Sequence, residues 1–278
     1  MNEKNRLTNL LYLIILNCVS YYENNFKIHM KLSSLEKSLK LIDTLTKNPQ
    51  GLSVSQLSEI LGYPKSTTHH ILSTLLPYDY VSQDPETRKY SLGFKFLSIG
   101  KVILDSLDVR KTAYKHLREL QEKCKEAVHL AILRNGEVIY IDKIDKQGGL
   151  SLATYIGFRT DPHAAAGGKV LLSELSRKEI IGIYRERPLK TYGKNTINSM
   201  PRLFEELEKI KKQGYAIDDE EYYEGIRCIA APIRAGWKVI AAVSITGSIF
   251  TMTLERMHND LKTMIIETSE RISNELRW

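Results

Sequence analysis

Three helical patterns between residues 34 and 76 are separated by glycine and proline, and this punctuation constrains the fold more than any other feature of the sequence. The first pattern runs from about Ser34 to Lys47, and Asn48, Pro49 and Gly51 stop the helix. Ser53 opens a brief second helix through a capping box, and that helix stops at Gly62. Pro64 suits the first turn of the third helix. The sequence therefore predicts that a tight turn joins the second helix to the third.

A hairpin and a further helix follow. The turn-forming residues 84–87 lie between two short β-rich runs, which predicts a pair of antiparallel strands. Apolar residues at helical spacing over residues 94–104 predict a helix that leads to the rest of the chain. Three helices, a hairpin and an exit helix in this order are typical of a winged helix-turn-helix. We assign that domain to residues 31–92 and a linker helix to residues 93–108.

The remainder of the chain, residues 109–278, alternates helices and strands irregularly. Asn135 and Gly136 separate two β-rich runs and form the strongest short hairpin signal available, and a second hairpin is expected near Gly236. An apolar stripe that begins at Leu254 predicts a long closing helix. Because the strands are expected to pair as antiparallel hairpins among helices, the fold class of the chain is predicted to be α+β.

Composition adds little support for a particular partner. The net charge of +7 invites a nucleic-acid interpretation, but residues 31–108 contain nine Lys and Arg against eight Asp and Glu. Overall basicity therefore does not point to the predicted DNA-binding domain. Three scattered cysteines argue against a disulfide framework and against a thiolate zinc cage, and they favour a reducing, cytoplasmic setting. No cofactor and no metal ion is predicted.

Residues 1–30 stand apart from the rest. Lys4 and Arg6 precede an apolar run at residues 10–16, which loosely imitates a signal peptide. The run is too short to span a bilayer, and no small-residue cleavage site follows it. Because Met30 stands just before the first predicted helix, a misassigned upstream start codon is the preferred interpretation. An extra helix that packs on the body is the alternative, and no membrane partner is expected.

The start of the third helix carries side chains of the kind that a recognition helix presents to base edges. Hydroxyl groups and a lysine there can bind phosphates or bases, and basic residues of the wing can reach the DNA backbone or the minor groove. The alternative is a three-helix packing module with solvated polar residues, which the order of the five elements disfavours. The predicted contacts to double-stranded DNA are Lys65, Ser66, Thr67, Thr68, His69 and His70 in the helix and Arg88 and Lys89 in the wing.

A resemblance to a known family rests on four regions of the sequence. Residues 35–84 are similar to the winged domain of the IclR family of bacterial regulators. Further regions resemble that family's effector-domain motifs, in the same order: residues 157–169 with Pro162, His163, Ala164 and Ala165, residues 214–221, and residues 225–232 followed by 241–247. The resemblance extends from about Leu32 to the C-terminus and leaves residues 1–30 outside.

The resemblance implies that residues 109–278 form a GAF-like α+β effector-binding and oligomerisation domain that binds small organic acids, in a protein that forms a homodimer or a dimer of dimers. Backbone amides near a helix start suit an anionic group, hydroxyls add donors, and a carboxylate can accept from a ligand hydroxyl. Asp161 and Thr246 depart from the residues frequent in the family, which leaves the pocket size open. The implied effector-binding residues are Ala166, Gly167, Asp218, Cys228, Ser244 and Thr246.

An enzyme is the alternative function. Cys228 as a nucleophile, His163 as a base and Lys169 as an anion-binding group would suit a hydrolase. A cysteine in an apolar strand is more often a buried core residue, however, and a histidine before a helix is more often structural. A regulator is therefore preferred. Residues 220–224, which are acidic and aromatic, are interpreted as a solvated loop next to the pocket without a role. The effector, the operator and the direction of regulation stay open.

Overall fold

The structure is a computed structural model that describes residues 33–146 and 154–276. The prediction for residues 1–30 lies outside the described residues. Contacts divide the chain into two compact units, one that ends at Gly100 and one that begins at Lys101. Among the described residues, no helix is both long enough and apolar enough to cross a membrane.

The first unit is built as the helix punctuation predicts. The side chain of Ser53 accepts a hydrogen bond from the Gln56 amide, and the Gln56 side chain accepts one from the Ser53 amide, so the predicted capping box is confirmed. Gly62 ends that helix with a φ of 66°. The elements are α1 (Ser33–Thr46), α2 (Val54–Leu61), α3 (Lys65–Leu75), β1 (Val81–Gln83), β2 (Tyr90–Leu92) and the first half of α4 (Lys95–Asp105).

A small apolar core holds the three helices to the hairpin. The strands β1 and β2 pair in antiparallel register, and Leu52, just before α2, forms a β-bridge with Tyr90 of the wing. This bridge ties the helix-turn-helix to the wing through backbone hydrogen bonds of 2.9 and 2.8 Å. The predicted winged helix-turn-helix is confirmed. Its fully buried side chains include Leu41, Leu45, Leu57, Leu72 and Val81.

The second unit is organised around a six-stranded antiparallel sheet with the strand order β5-β4-β3-β8-β7-β6. The predicted hairpin between β3 and β4 is confirmed, because Asn135 and Gly136 have φ values of 52° and 75°, as a two-residue turn requires. The strands are β3 (Ala127–Arg134), β4 (Glu137–Ile144), β5 (Arg159–Thr160), β6 (Ala216–Asp219), β7 (Ile226–Ala235) and β8 (Lys238–Ser248).

Helices cover both faces of this sheet. The first face packs against α5 (Asp108–Cys124) and α10 (Lys262–Glu275), and the second face packs against α6 (Ala166–Ser173), α7 (Arg177–Glu186) and α8 (Met200–Gln213). Because side chains alternate between the faces of a strand, β3, β6, β7 and β8 each contribute to two separate apolar clusters. The predicted α+β class is confirmed. A short helix, α9 (Leu254–Arg256), and a π-helical turn, Met257–Leu261, precede α10, so the predicted closing helix contains a local irregularity.

Candidate functional site

One face of α3 is exposed and polar. Ser66, His69, His70 and Ser73 are exposed and follow the i, i+3, i+4, i+7 spacing of a single helical face. Lys65, at the first turn, is exposed beside them. A polar face of this kind on the second helix of a helix-turn-helix is free to enter the major groove. Sequence reasoning missed Ser73, although its spacing from Ser66 was a signal for it.

Thr68 does not belong to this face, and the prediction that it contacts DNA is wrong. Its side chain is 0% exposed, and its hydroxyl donates to the carbonyl of Pro64 at 3.3 Å. Ile71 and Leu72, one turn further along, are buried on the same side of the helix. Thr68 therefore supports the core, and a contact to DNA would require the helix to rotate away from its own domain.

The wing tip is held by local hydrogen bonds. The carboxylate of Asp84 accepts from the amide and the hydroxyl of Thr87 at 2.7 and 2.8 Å, and these bonds lower the pKa of Asp84. Arg88 follows with a φ of 58°, a left-handed conformation that this turn imposes. Arg88 is exposed and Lys89 is half-buried, so both predicted wing residues lie at the surface of the hairpin.

A cavity of about 300 Å³ lies in the second unit, on the face of the sheet that packs against α6. Every strand of the sheet contributes one side chain or more to its lining. Ala166, the first residue of α6, also lines it. Aromatic side chains complete the lining: Phe158 before β5, and Tyr222 and Tyr223 after β6. In sheet order, the six strand residues are Thr160, Tyr140, His129, Thr246, Cys228 and Asp218.

Four of the six implied effector residues line this cavity: Ala166, Asp218, Cys228 and Thr246. Ser244 does not, because it is only 3% exposed and its hydroxyl hydrogen-bonds the thiol of Cys228 behind the lining. Gly167 does not line it either, since its α-carbon faces the methyl group of Ala242 on β8. The geometry thus gives no direct ligand contact to the Ser244 hydroxyl.

The start of α6 leaves backbone amides without an acceptor in the helix, and Ala166, its first residue, lines the cavity. The first intrahelical hydrogen bond runs from the Lys169 amide to the Ala165 carbonyl at 2.9 Å, so the amides of the preceding three helical residues have no acceptor within the helix. The loop before the helix packs closely against it at Gly168. A Cβ at that position would lie 2.3 Å from the Pro162 carbonyl oxygen, so only glycine permits this approach. Such a helix start favours an anion.

Burial sets the charge state of the cavity wall. Burial and the nearby carboxylate of Glu221 raise the pKa of Asp218 to about 7. Burial, reinforced by Lys143, lowers the pKa of His129 to about 3, so its imidazole is neutral. Burial also raises the pKa of Cys228 to about 12, which keeps it a thiol. These three buried groups therefore present no fixed full charge to a ligand, although the exposed residue Glu224 also lines the cavity.

His129 links three elements and was missed from the sequence. Its Nε2 lies 2.9 Å from the hydroxyl of Thr154, and its Nδ1 lies 3.4 Å from the hydroxyl of Thr246. Thr246 in turn donates to the Cys228 sulfur at 3.2 Å. No short-range pattern signals this arrangement, because His129 and Thr246 are 117 residues apart in the chain.

The interpretation of residues 220–224 as a solvated loop is wrong for Glu221. Its side chain forms a buried ion pair with Lys169, and its backbone amide donates to Asp218 Oδ1 at 2.8 Å. Tyr222 and Tyr223 line the cavity and pack edge to face, with their ring centroids 4.6 Å apart. This segment forms part of the cavity wall rather than a free loop.

The structure does not bring Cys228 and His163 together as a catalytic pair. Cys228 lines the cavity, whereas His163 is fully buried outside the lining, with its Nε2 2.8 Å from the Lys190 carbonyl oxygen. Lys169, the third member of that hypothesis, is used in its ion pair with Glu221. Residues 33–146 and 154–276 also contain no group of three or more His, Cys, Asp and Glu side chains that could hold a metal ion.

A winged helix-turn-helix and, in the same chain, an α+β unit with a cavity fit the class of transcriptional regulators. The sequence models described as "IclR helix-turn-helix domain" and "Bacterial transcriptional regulator IclR C-terminal" match residues 34–85 and 101–274. The second match alone spans more than half of the chain. The protein belongs to the IclR family of bacterial transcriptional regulators.

Individual relatives agree with this assignment. The chain is 35% identical over 221 residues to the HTH-type transcriptional regulator XynR of Escherichia coli, covering 77% of this chain and 86% of XynR. The crystal structure of Thermotoga maritima IclR superposes with a TM-score of 0.74 at 30% identity and covers 89% of this chain and all of that one. An IclR homologue from Microbacterium hydrocarbonoxydans, crystallised with 4-hydroxybenzoate, shares the fold at 20% identity, with a TM-score of 0.75 and coverage of 87% and 98%.

Proposed function

We propose that the protein binds double-stranded operator DNA through α3 and the wing, and that a small organic acid in the cavity changes its affinity for that DNA. The observation that carries the proposal is the cavity itself, which the first residue of α6 and side chains from six strands line together. A sealed structural core would not leave about 300 Å³ lined by an acid, an imidazole, a thiol and hydroxyls. The proposed setting is the cytoplasm, where DNA and metabolites meet.

The anionic group of the ligand is assigned to the start of α6. Ala166, whose amide has no acceptor within the helix, lines the cavity, and Thr246 lines it from β8. Asp218 can donate a hydrogen bond to the ligand when it is protonated, or accept one from a ligand hydroxyl when it is ionised. These groups together suit a carboxylate that carries further oxygen functions.

Self-association is proposed to use α4, the predicted linker helix. Leu97, Val102 and Ile103 on this helix are 69%, 70% and 57% exposed, and Phe94, just before it, is 75% exposed. A helix with this much exposed apolar surface favours association with a second copy, which removes the surface from water. The proposal is a homodimer or a dimer of dimers whose two recognition helices bind the halves of a roughly palindromic site.

The DNA part of the proposal is tested by fluorescence anisotropy with labelled DNA. The DNA upstream of the gene should bind more tightly than random DNA of the same length, and both affinities should fall as salt rises, because bound counterions are released. Equal affinity for the two DNAs across all salt concentrations would show that α3 does not read sequence. Sedimentation velocity of Val102→Asp, compared with the wild type, reports whether α4 mediates self-association.

The effector part is tested with a panel of keto, hydroxy, sugar and aromatic acids. An effector should raise the unfolding temperature, be recovered unchanged and shift operator affinity, by about 5- to 150-fold in a typical coupled system. Thr246→Val should weaken both effects, whereas Thr268→Val, which alters a buried threonine of α10 outside the cavity, should not. A ligand that stabilises the protein without changing operator affinity contradicts the proposal, and a compound consumed by the protein favours an enzyme.

A further inference from the structure

The connection between α7 and α8, residues 187–199, is long and contains no helix or strand. Connections of more than about twelve residues without secondary structure are uncommon in compact domains, and they are usually functional. This connection, which we call the strap, is attached to the turn before α6 and to the loop between β6 and β7. None of its residues lines the cavity, so its role differs from that of a ligand contact.

The first attachment joins the strap to the turn that precedes α6. The Tyr192 hydroxyl donates to Asp161 Oδ2 at 2.5 Å, and His163 Nε2 donates to the Lys190 carbonyl oxygen at 2.8 Å. Burial and the hydrogen bond to Asp161 raise the pKa of Tyr192, so its hydroxyl stays protonated and able to donate. These bonds fix one side of the strap beside the start of α6.

The second attachment joins the strap to the loop between β6 and β7. The Thr196 hydroxyl donates to the Glu221 carbonyl oxygen at 2.6 Å. The ring of Tyr192 also stacks on the ring of Tyr222, with a centroid distance of 4.5 Å and an angle of 35° between the planes. Tyr222 lines the cavity and Tyr192 does not, so the stack supports the cavity wall from outside.

The mouth of the cavity lies at residues 222–224, which all contribute to its lining. Among the described residues of that lining, only Tyr223 and Glu224 are exposed, and the others are half-buried or buried. Tyr223 is 45% exposed. These side chains therefore face both the solvent and the cavity, and their displacement would open a path between the two.

The backbone on either side of residues 222–224 is fixed. Glu221 is held by its ion pair with Lys169, and the Gly225 amide donates to the Glu220 carboxylate at 2.9 Å. Gly225 has a φ of 78°, a left-handed conformation that glycine adopts without a steric cost. A short segment between two fixed ends, one of them a glycine, can change its backbone angles without disturbing β6 or β7.

Resting on the proposed function, which requires a ligand to enter the cavity, we infer that residues 222–224 form the gate of the cavity and that Tyr192, held by Asp161, is the latch that keeps the gate closed. Release of the Tyr192 ring removes the support behind Tyr222, and the gate then moves away from the cavity about its two fixed ends. The latch controls how fast a ligand enters and leaves, whereas the lining residues decide which ligand binds.

Alkylation of Cys228 by iodoacetamide measures gate opening without any ligand. Cys228 lines the cavity, whereas Cys124 is fully buried in the apolar cluster under α5 and reports global unfolding. Peptide mass spectrometry of the full-length protein, sampled over time, follows the two thiols separately. When closing is faster than alkylation, the rate is proportional to the fraction of molecules whose gate is open.

Loss of the latch should raise the alkylation rate of Cys228 and leave that of Cys124 unchanged. Tyr192→Phe removes only the hydrogen bond to Asp161 and should raise the rate by about 5-fold. Tyr192→Ala also removes the stack and should raise the rate by about 30-fold. Tyr114→Ala is the matched control, because it removes an exposed tyrosine of α5 outside the lining and should change neither rate.

Three results would overturn the inference. If both thiols react faster in the Tyr192 variants, the strap only stabilises the fold. If neither thiol reacts faster, Tyr192 is not the latch. If Cys228 of the wild type already reacts as fast as it does in urea-unfolded protein, no gate closes the cavity. Because no effector is used, each of these results leaves the effector function standing, and that function is tested separately with the panel of acids.

Discussion

Lys169 and Glu221 form an ion pair in the interior of the second unit, although 52 residues separate them in the chain. The Lys169 side chain is 1% exposed, and its ammonium group also donates to the Ile217 carbonyl oxygen at 2.6 Å. Asp218 follows directly and accepts the Glu221 amide. The pair therefore ties α6 to β6 and to the following loop, and it fixes two walls of the cavity relative to each other.

Breaking this pair from the lysine side should be costly. Lys169→Met leaves the Glu221 carboxylate buried without its cation, and we expect a loss of about 3 kcal/mol in the free energy of unfolding, measured with urea. Glu221→Gln should cost less, because an amide keeps a hydrogen bond to the ammonium group. As a control, Arg271→Met removes an ion pair with Glu119 at the surface and should leave the midpoint nearly unchanged. Equal midpoints for Lys169→Met and the control would contradict this account.

The raised pKa of Asp218 makes stability depend on pH. Burial and Glu221 raise its pKa from 3.8 to about 7, so the folded state holds a proton that the unfolded state releases. Stability from this group is full below pH 3.8 and is lost as the pH rises to about 7. Asp218→Asn removes that loss and should stabilise the protein on the order of 3 kcal/mol at pH 8 relative to pH 4. Thermal unfolding at both pH values measures the difference, and a variant that tracks the wild type at both would refute it.

Ligand affinity should depend on pH for the same reason. Asp218 faces Glu221, which adds negative charge, Lys169, which offsets it, and the neutral thiol of Cys228 on β7. A carboxylate that binds beside Asp218 favours its protonated form, so affinity should fall as the pH rises through about 7. Titrations in buffers of different ionisation enthalpy should show proton uptake on binding. Asp218→Asn should lose that uptake; uptake that persists in the variant assigns it to another group.

Recognition-helix variants should separate backbone contacts from base contacts. Lys65→Ala should weaken binding to every DNA and lower the salt slope by about 1, as the loss of a phosphate contact does. Thr67→Ala and Ser73→Ala should instead change the preference among operator variants. Thr68→Val is the control, because its side chain is buried: it should alter stability and leave sequence preference intact. A change of preference in Thr68→Val alone would mean that α3 turns on binding DNA.

Residues 1–30 are predicted to be dispensable. A chain that starts at Met30 should be soluble, self-associate as the full chain does and bind the same DNA with the same affinity, because the family match begins after this point. Sedimentation and anisotropy of the shortened protein measure both properties. Loss of the soluble assembly would favour the alternative, in which this segment packs on the body.

Local chemistry along the chain was sufficient to predict the helices, the turns and the fold class. The capping box of Ser53, the left-handed turn at Gly136 and the helix stop at Gly214, with a φ of 80°, each act within a few residues. The residues that cap a neighbouring amide, and the glycines that easily adopt a positive φ, can be recognised in the sequence itself. The exposed face of α3 also follows from spacing, apart from Thr68, whose burial depends on how α3 packs against its domain.

Only the tertiary structure decided which side chains line the cavity. The pairing of β3 with β8 brings His129 to Thr246, and the antiparallel register of β6, β7 and β8 aligns Asp218, Cys228 and Thr246 in one row. The same packing buries Lys169 with Glu221 and removes Ser244 from the lining. Strand order and register decide which of these side chains meet, because they bury apolar surface over the whole unit. No local pattern in a sequence encodes a contact between residues that lie about 50 to 120 positions apart.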